Sequence, residues 1–134
     1  MEVHDLPTPA LIIEHRALDD NLATMAAAFP GRRLRPHVKA HKCTSLAQRQ
    51  YDVGHRSFTC ATPREAVGLA ALGLGDDLLV ANEVVDPRRL EALAALADEA
   101  SVTIAVDSEA TIAAAARGTP PPSWPGCRRG RGAR

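Results

Sequence analysis

Short β-branched or apolar runs recur along this chain at intervals of about 20–25 residues, near 34–38 (LRPHV), 57–60 (SFTC), 77–81 (DLLVA) and 102–106 (VTIAV). Each is followed by a stretch with helical spacing. A strand that returns through a helix lies parallel to its neighbour, so this alternation dictates an α/β fold with a parallel sheet and helices packed on it. The strands are short and apolar, as strands covered on both faces are. Helices are predicted over 44–51, 62–72, 86–97 and 108–116. Thr44 or Ser45 is the expected N-cap of the first, with Gly54 past its end. Thr62 with Pro63 and Glu65 opens the second, Asp86-Pro87 the third and Ser108 the last. Leu90, Leu93, Ala94, Leu96 and Ala97 form one apolar stripe. A further strand over 9–14 (PALIIE) and a helix over 18–29 precede this series.

Both a doubly wound sheet and part of a (β/α)8 TIM-type barrel fit that pattern. No GxGxxG follows the first strand, which weakens a dinucleotide site. A complete barrel takes about 250 residues, so a chain of 134 holds about four βα units of one. The pattern occupies residues 1–117. Residues 118–134 (GTPPPSWPGCRRGRGAR) lack periodicity and are rich in Pro, Gly and Arg. They are expected to be irregular and exposed, either as a natural basic tail or as an aberrant end to an interrupted barrel. The second is favoured, since a helix over 110–116 should lead into a fifth strand.

Charge separates the same two regions. The chain is neutral overall, but residues 1–117 hold twelve bases against sixteen acids, a net of −4, and the last 17 residues carry four arginines and no acid. The acidic body has no nucleic-acid footprint. No apolar run approaches the roughly 18 residues that span a bilayer, and the first residues (MEVHD) have no basic signal-peptide region. Three cysteines without CxxC spacing argue against a disulfide framework or zinc ribbon. A cytoplasmic setting is expected, with no membrane or nucleic-acid partner.

Of the sixteen bases, fourteen are Arg and two are Lys, and both lysines, Lys39 and Lys42, lie in one element, LRPHVKAHKC. If residues 34–41 are extended, His37, Lys39 and His41 point the same way. Lys39 then sits at the carboxyl end of the first barrel strand, where barrel enzymes place catalytic groups. A lysine there forms a Schiff base with an aldehyde cofactor, which an arginine cannot do because it does not deprotonate. Only the neutral amine attacks, about one in a thousand near neutral pH for a free lysine, so burial or a neighbouring cation would help. The competing reading is a solvated loop after a strand. A metal reading of His37, His41 and Cys43 is disfavoured, since positions 37 and 41 on a strand are about 13 Å apart. Cys60 is expected to be a small core residue. Asn82 and Glu83 follow a strand at the rim, where loop polarity explains them equally well.

The segments LPTPALIIEHRALDDNLATM, RPHVKAHK, FTCATPREAVGLAALGLGDDLLVANEVV and VTIAVDS resemble the D-threonine aldolase / D-serine dehydratase family, alanine-racemase-like pyridoxal-phosphate barrels. The resemblance covers about residues 5–117. It implies that Lys39 carries pyridoxal 5'-phosphate and is the catalytic residue, with His37 and His41 as weaker cofactor-binding candidates. Ala40 stands where Thr is commoner in the family. The implied activity is a lyase acting on small D-3-hydroxyamino acids, by retro-aldol cleavage or by dehydration. No metal ligand is assigned in this chain; a divalent metal is expected only in a full-length member. The sequence does not choose the oligomeric state; a homodimer is among the assemblies it allows. The other half of the barrel, the cofactor's phosphate site and the C-terminal domain have no counterpart here. The expectation is therefore a chain that is inactive alone and self-associates through open sheet edges. The rival readings are a non-catalytic pyridoxal-phosphate binding protein of the same fold, an interaction protein acting through its basic tail, and a product of a broken gene.

Overall fold

The computed structural model describes residues 2–118. Three parallel strands form the sheet: β1 (Phe58–Cys60), β2 (Leu78–Glu83) and β3 (Val102–Ala105), in the order β1-β2-β3. Phe58 pairs with Leu78 and Leu78 with Val102; Cys60 pairs with Val80 and Val80 with Ile104. The ladder shifts register between Val80 and Glu83, so that Glu83 comes opposite Ala105. Five α-helices accompany the strands: α1 (His15–Ala28), α2 (Thr44–Asp52), α3 (Pro63–Ala70), α4 (Pro87–Ala94) and α5 (Glu109–Gly118). Helix packs on sequential helix from α2 to α5, the arrangement of successive βα units.

Alternation along the strands decides what the sheet buries. Phe58, Cys60, Leu78 and Val80 are fully buried, with Leu69, Leu74, Leu90, Leu93, Leu96 and Ala114 in the same core, and Val102 and Ile104 pack against it. This is the helix-covered face. Thr59, Leu79 and Thr103 take the opposite face, where Thr59 is buried, Leu79 half-buried and Thr103 exposed.

The helix signals are satisfied as hydrogen bonds. Thr62 Oγ1 accepts from Glu65 N at 3.3 Å, and Pro63 fills the first helical position. Asp86 accepts from the backbone of Arg88 and Arg89 and starts α4 before Pro87. Ser108 Oγ accepts from Thr111 N. Gly73, at φ +74°, ends α3, with Leu74 N donating to Leu69 O. The cap of α2 differs: Cys43 occupies the N-cap, with no side-chain bond there.

Two predicted strands are not strands. Residues 9–14 form no strand, and Leu11, Ile12 and Ile13 are exposed. The 34–38 segment is reduced to a single parallel bridge between His37 and Thr59. Thr59 N donates to Pro36 O at 2.8 Å, but Pro36 has no N–H to return to the ladder, and Val38–Ala40 turns into a 3-10 helix. The sheet thus has three strands and one bridge where four strands were expected. Helix α1 begins at His15, three residues early, because Glu14 accepts from Arg16 N and Ala17 N. It contains no buried residue. Of the predicted tail only Gly118 lies within the described residues, as the last residue of α5; the expectation for 119–134 falls outside them.

Two glycines test this packing. A Cβ on Gly75 would stand 2.6 Å from Ala100 Cβ and 3.0 Å from Glu99 O, whereas one on Gly68, inside α3, meets nothing within 4 Å. Gly75→Ala is expected to cost about 1–3 kcal/mol through overpacking, and Gly68→Ala to gain about 0.5–1 kcal/mol in a helix interior. Urea denaturation of the two variants should shift the midpoint in opposite directions.

Candidate functional site

The carboxyl ends of the parallel strands gather the loop residues at one edge of the sheet. Lys39 follows two residues after the His37–Thr59 bridge, Ala61 follows β1, Asn82 and Glu83 close β2, and Val106 and Asp107 follow β3. Side chains brace this edge. Asn82 Nδ2 donates to Ala61 O at 2.6 Å, and Glu65 Oε2 accepts from Ala61 N at 2.6 Å. Both backbone groups of Ala61 are therefore held, one from β2 and one from α3. The sequence marked Glu65 only as a capping-box partner and Asn82 only as a rim residue. Their common target has no signal in either neighbourhood, since Asn82 and Ala61 are 21 residues apart.

The Lys39 element is a turn, which corrects the expectation that His37, Lys39 and His41 share one side of a strand. Three residues per turn replace the two-residue alternation over Val38–Ala40. Val38 is buried beneath it and Lys39 is exposed. The turn is closed by Lys42 N donating to Val38 O at 2.8 Å, with Lys42 itself in the left-handed region at φ +48°. Both histidines bond to their own backbone. His37 Nδ1 accepts from Lys39 N at 3.3 Å, and His41 Nδ1 accepts from Cys43 N at 3.0 Å. A ring nitrogen that accepts carries no proton, so each neutral ring bears its proton on Nε2. His41 Nε2 is buried and has no partner. No group of three His, Cys, Asp or Glu side chains among the described residues is arranged to hold a metal ion, so His37, His41 and Cys43 do not converge.

Cys60 lies under the rim as a core residue, as expected. Burial, and secondarily the charge of Glu65, push its thiol up to about 12. At the opposite end of the sheet Arg35 pairs with Asp77 at 2.7 Å, fixing the start of the Lys39 element to the start of β2. Between the openings of α3 and α4 lies an open cleft of about 570 Å³, lined by Thr62, Pro63, Arg64, Val67, Asp86, Arg88, Arg89 and Ala92. There the Arg88 guanidinium, hydrogen-bonded to Asp86, holds that carboxyl below the usual carboxylate range.

A βα unit series with a lysine turn at its carboxyl edge has a counterpart among known families. The model of the alanine racemase N-terminal domain matches residues 13–123. The chain belongs to that family. It is 38% identical over 104 residues to a D-threonine aldolase of Arthrobacter sp., an alignment covering 75% of this chain and 27% of the relative. It is 34% identical over 116 residues to a 3-hydroxy-D-aspartate aldolase of Paracoccus denitrificans, covering 84% of this chain and 30% of that protein. The crystal structure of D-threonine aldolase from Filomicrobium marinum superposes with a TM-score of 0.77 at 38% identity, over 87% of this chain and 32% of the other. The chain thus spans about a third or less of the length of these relatives, and its three-stranded parallel sheet with covering helices is the α/β, partly barrel-like fold of an alanine racemase N-terminal domain.

The thiols give a direct check on the edge. A thiol held near 12 stays protonated at pH 8, and only the thiolate alkylates readily. Iodoacetamide at pH 8 is expected to modify half-buried Cys43 and to leave Cys60 unlabelled until denaturant is added, as read by peptide mass spectrometry. Cys60 labelling as fast as Cys43 in the folded chain would contradict the burial described.

Proposed function

We propose that this chain is the cofactor-bearing N-terminal part of a pyridoxal-phosphate lyase acting on small D-3-hydroxyamino acids. Lys39 is the attachment point. The observation that carries the proposal is the position of Lys39: one of two lysines in the chain, it is exposed on a turn at the carboxyl edge of a parallel sheet. Relatives named as aldolases of D-threonine and 3-hydroxy-D-aspartate support the substrate class.

The residues present fit the cofactor. An aldehyde needs a primary amine with room around it, and Lys39 has that exposure. A buried N–H without an acceptor lies two residues away, on His41. When bound, pyridoxal phosphate supplies an electron sink for bond cleavage at Cα.

The chain's own groups bind and orient. Lys39 Nζ is the primary amine that would hold the cofactor through its aldehyde. His37 spends Nδ1 on the Lys39 backbone, which fixes the turn that presents the lysine. The Asn82 and Glu65 bonds to Ala61 keep the neighbouring loop in place. The choice between retro-aldol cleavage and dehydration, the divalent metal that would hold a β-hydroxyl, and pairing into a homodimer belong to the complete protein. We propose no turnover by these 134 residues alone, since Lys39 by itself holds neither the cofactor phosphate nor a metal.

Incubation with pyridoxal phosphate followed by borohydride is expected to fix a pyridoxyl group on Lys39, seen by peptide mapping, and Lys39→Ala is expected to remove the label and the accompanying absorption band. Label confined to Lys42 would overturn the assignment.

A further inference from the structure

The turn that presents Lys39 leaves one polar atom unaccounted for. His41 Nδ1 is occupied by the Cys43 backbone N–H at 3.0 Å, which commits the neutral ring to carrying its proton on Nε2. That Nε2 is buried and unpaired. Buried donors in folded proteins are almost always satisfied. Among the described residues the other buried side-chain atoms without a partner are on Arg35, Gln50 and His55; Arg35 lies at the opposite end of the sheet, and Gln50 and His55 lie on and just after α2. His41 alone of the four lies in the lysine turn. The ring cannot rotate to hide the donor without giving up the Cys43 bond, which stands immediately before α2.

We infer that His41 Nε2–H is a fixed hydrogen-bond donor to an anionic oxygen of the group held on Lys39. The inference rests on the Lys39 reading and adds a second contact to it. The acceptor is an oxyanion of the cofactor, on either its phosphate or its ring hydroxyl. The spacing explains why two histidines flank Lys39 at i−2 and i+2 with the same Nδ1-to-backbone bond: the first shapes the backbone that bears the lysine, and the second presents an N–H. His41 is a binding residue here, and no proton transfer is assigned to it.

The test uses the full 134-residue chain carrying Lys42→Arg, so that Lys39 is the one remaining lysine. Pyridoxal phosphate and unphosphorylated pyridoxal are titrated separately, and the absorption of the lysine-bound form is followed for His41, His41→Gln and His41→Phe. Glutamine retains an N–H near the Nε2 position, and phenylalanine keeps only the ring. His41→Phe is expected to weaken pyridoxal phosphate binding about tenfold, the effect of one charge-assisted hydrogen bond, with His41→Gln restoring most of it. If the same discrimination holds for pyridoxal, the acceptor is the ring oxygen; if it disappears, the acceptor is the phosphate. Equal binding by the parent and His41→Phe, or no rescue by His41→Gln, overturns the inference. A second readout needs no His41 variant. The imidazole ¹⁵N and Nε2 proton signals of His41 are expected to shift when pyridoxal phosphate is added, and an unchanged signal at saturation overturns the inference too. Absence of any borohydride-fixed label on Lys39 marks failure of the Lys39 reading itself, which separates the two.

Discussion

The sheet and helices α2 to α5 depend on the parallel pairing of β2 with β1 on one side and β3 on the other. Leu78 and Val80 are completely buried, and their pairing partners Phe58 and Cys60 are as well. Burying a side chain such as Phe, Leu or Val contributes about 1.5–3 kcal/mol, so this small patch supplies much of what holds the helices on. Leu69 of α3, Leu90 and Leu93 of α4 and Ala114 of α5 close over it. Because the strands run parallel, their carboxyl ends arrive on one side, and that coincidence makes one edge of the sheet a place where loops meet. The Lys39 turn reaches this edge only because Pro36 and His37 touch Thr59.

The parts of the fold that could be read from the residues are those where local and distant demands agree. Thr62-Pro63 and Asp86-Pro87 open helices by their own chemistry, and the apolar runs before them are strands because both neighbours are apolar too. The 34–38 run failed for the opposite reason. Its apolar character is that of a strand, but Pro36 denies one ladder bond and His37 finds a backbone donor in Lys39, so local bonding wins after one bridge. The cap of α2 went to Cys43 rather than Thr44 or Ser45. The His41 ring supplies the acceptor for the Cys43 N–H, a relation invisible to a rule that looks for hydroxyls. Residues 9–14 carry a strand's composition without a partner strand, and composition alone does not create one.

Legibility of the candidate site divides in the same way. The scarcity of lysine singled out Lys39 and Lys42, and the βα pattern assigned Lys39 to the carboxyl edge. The expected side-by-side array of His37, Lys39 and His41 depended on strand geometry, and the turn dissolved it. The supports of the edge, Asn82 and Glu65 converging on Ala61, and the Arg35–Asp77 pair at the far end, join residues distant in sequence. Such bonds follow from register, which is known only once the strands are paired.

Helix α1 is attached differently from the rest. It buries no side chain, Met25 and Phe29 are exposed, and its tie to α2 is the Asp19 carboxylate shared by Arg49 and by His15 at 3.1 Å. Mobile ions screen exposed charges over about 8 Å at physiological ionic strength, whereas excluded salts such as sulfate strengthen apolar burial. The first helix and the sheet therefore answer an excluded salt such as sulfate with opposite sign. Rising sulfate loosens the grip of the first helix while it tightens the sheet and its covering helices, so the ionic composition of the surroundings sets how firmly the first helix lies against the body.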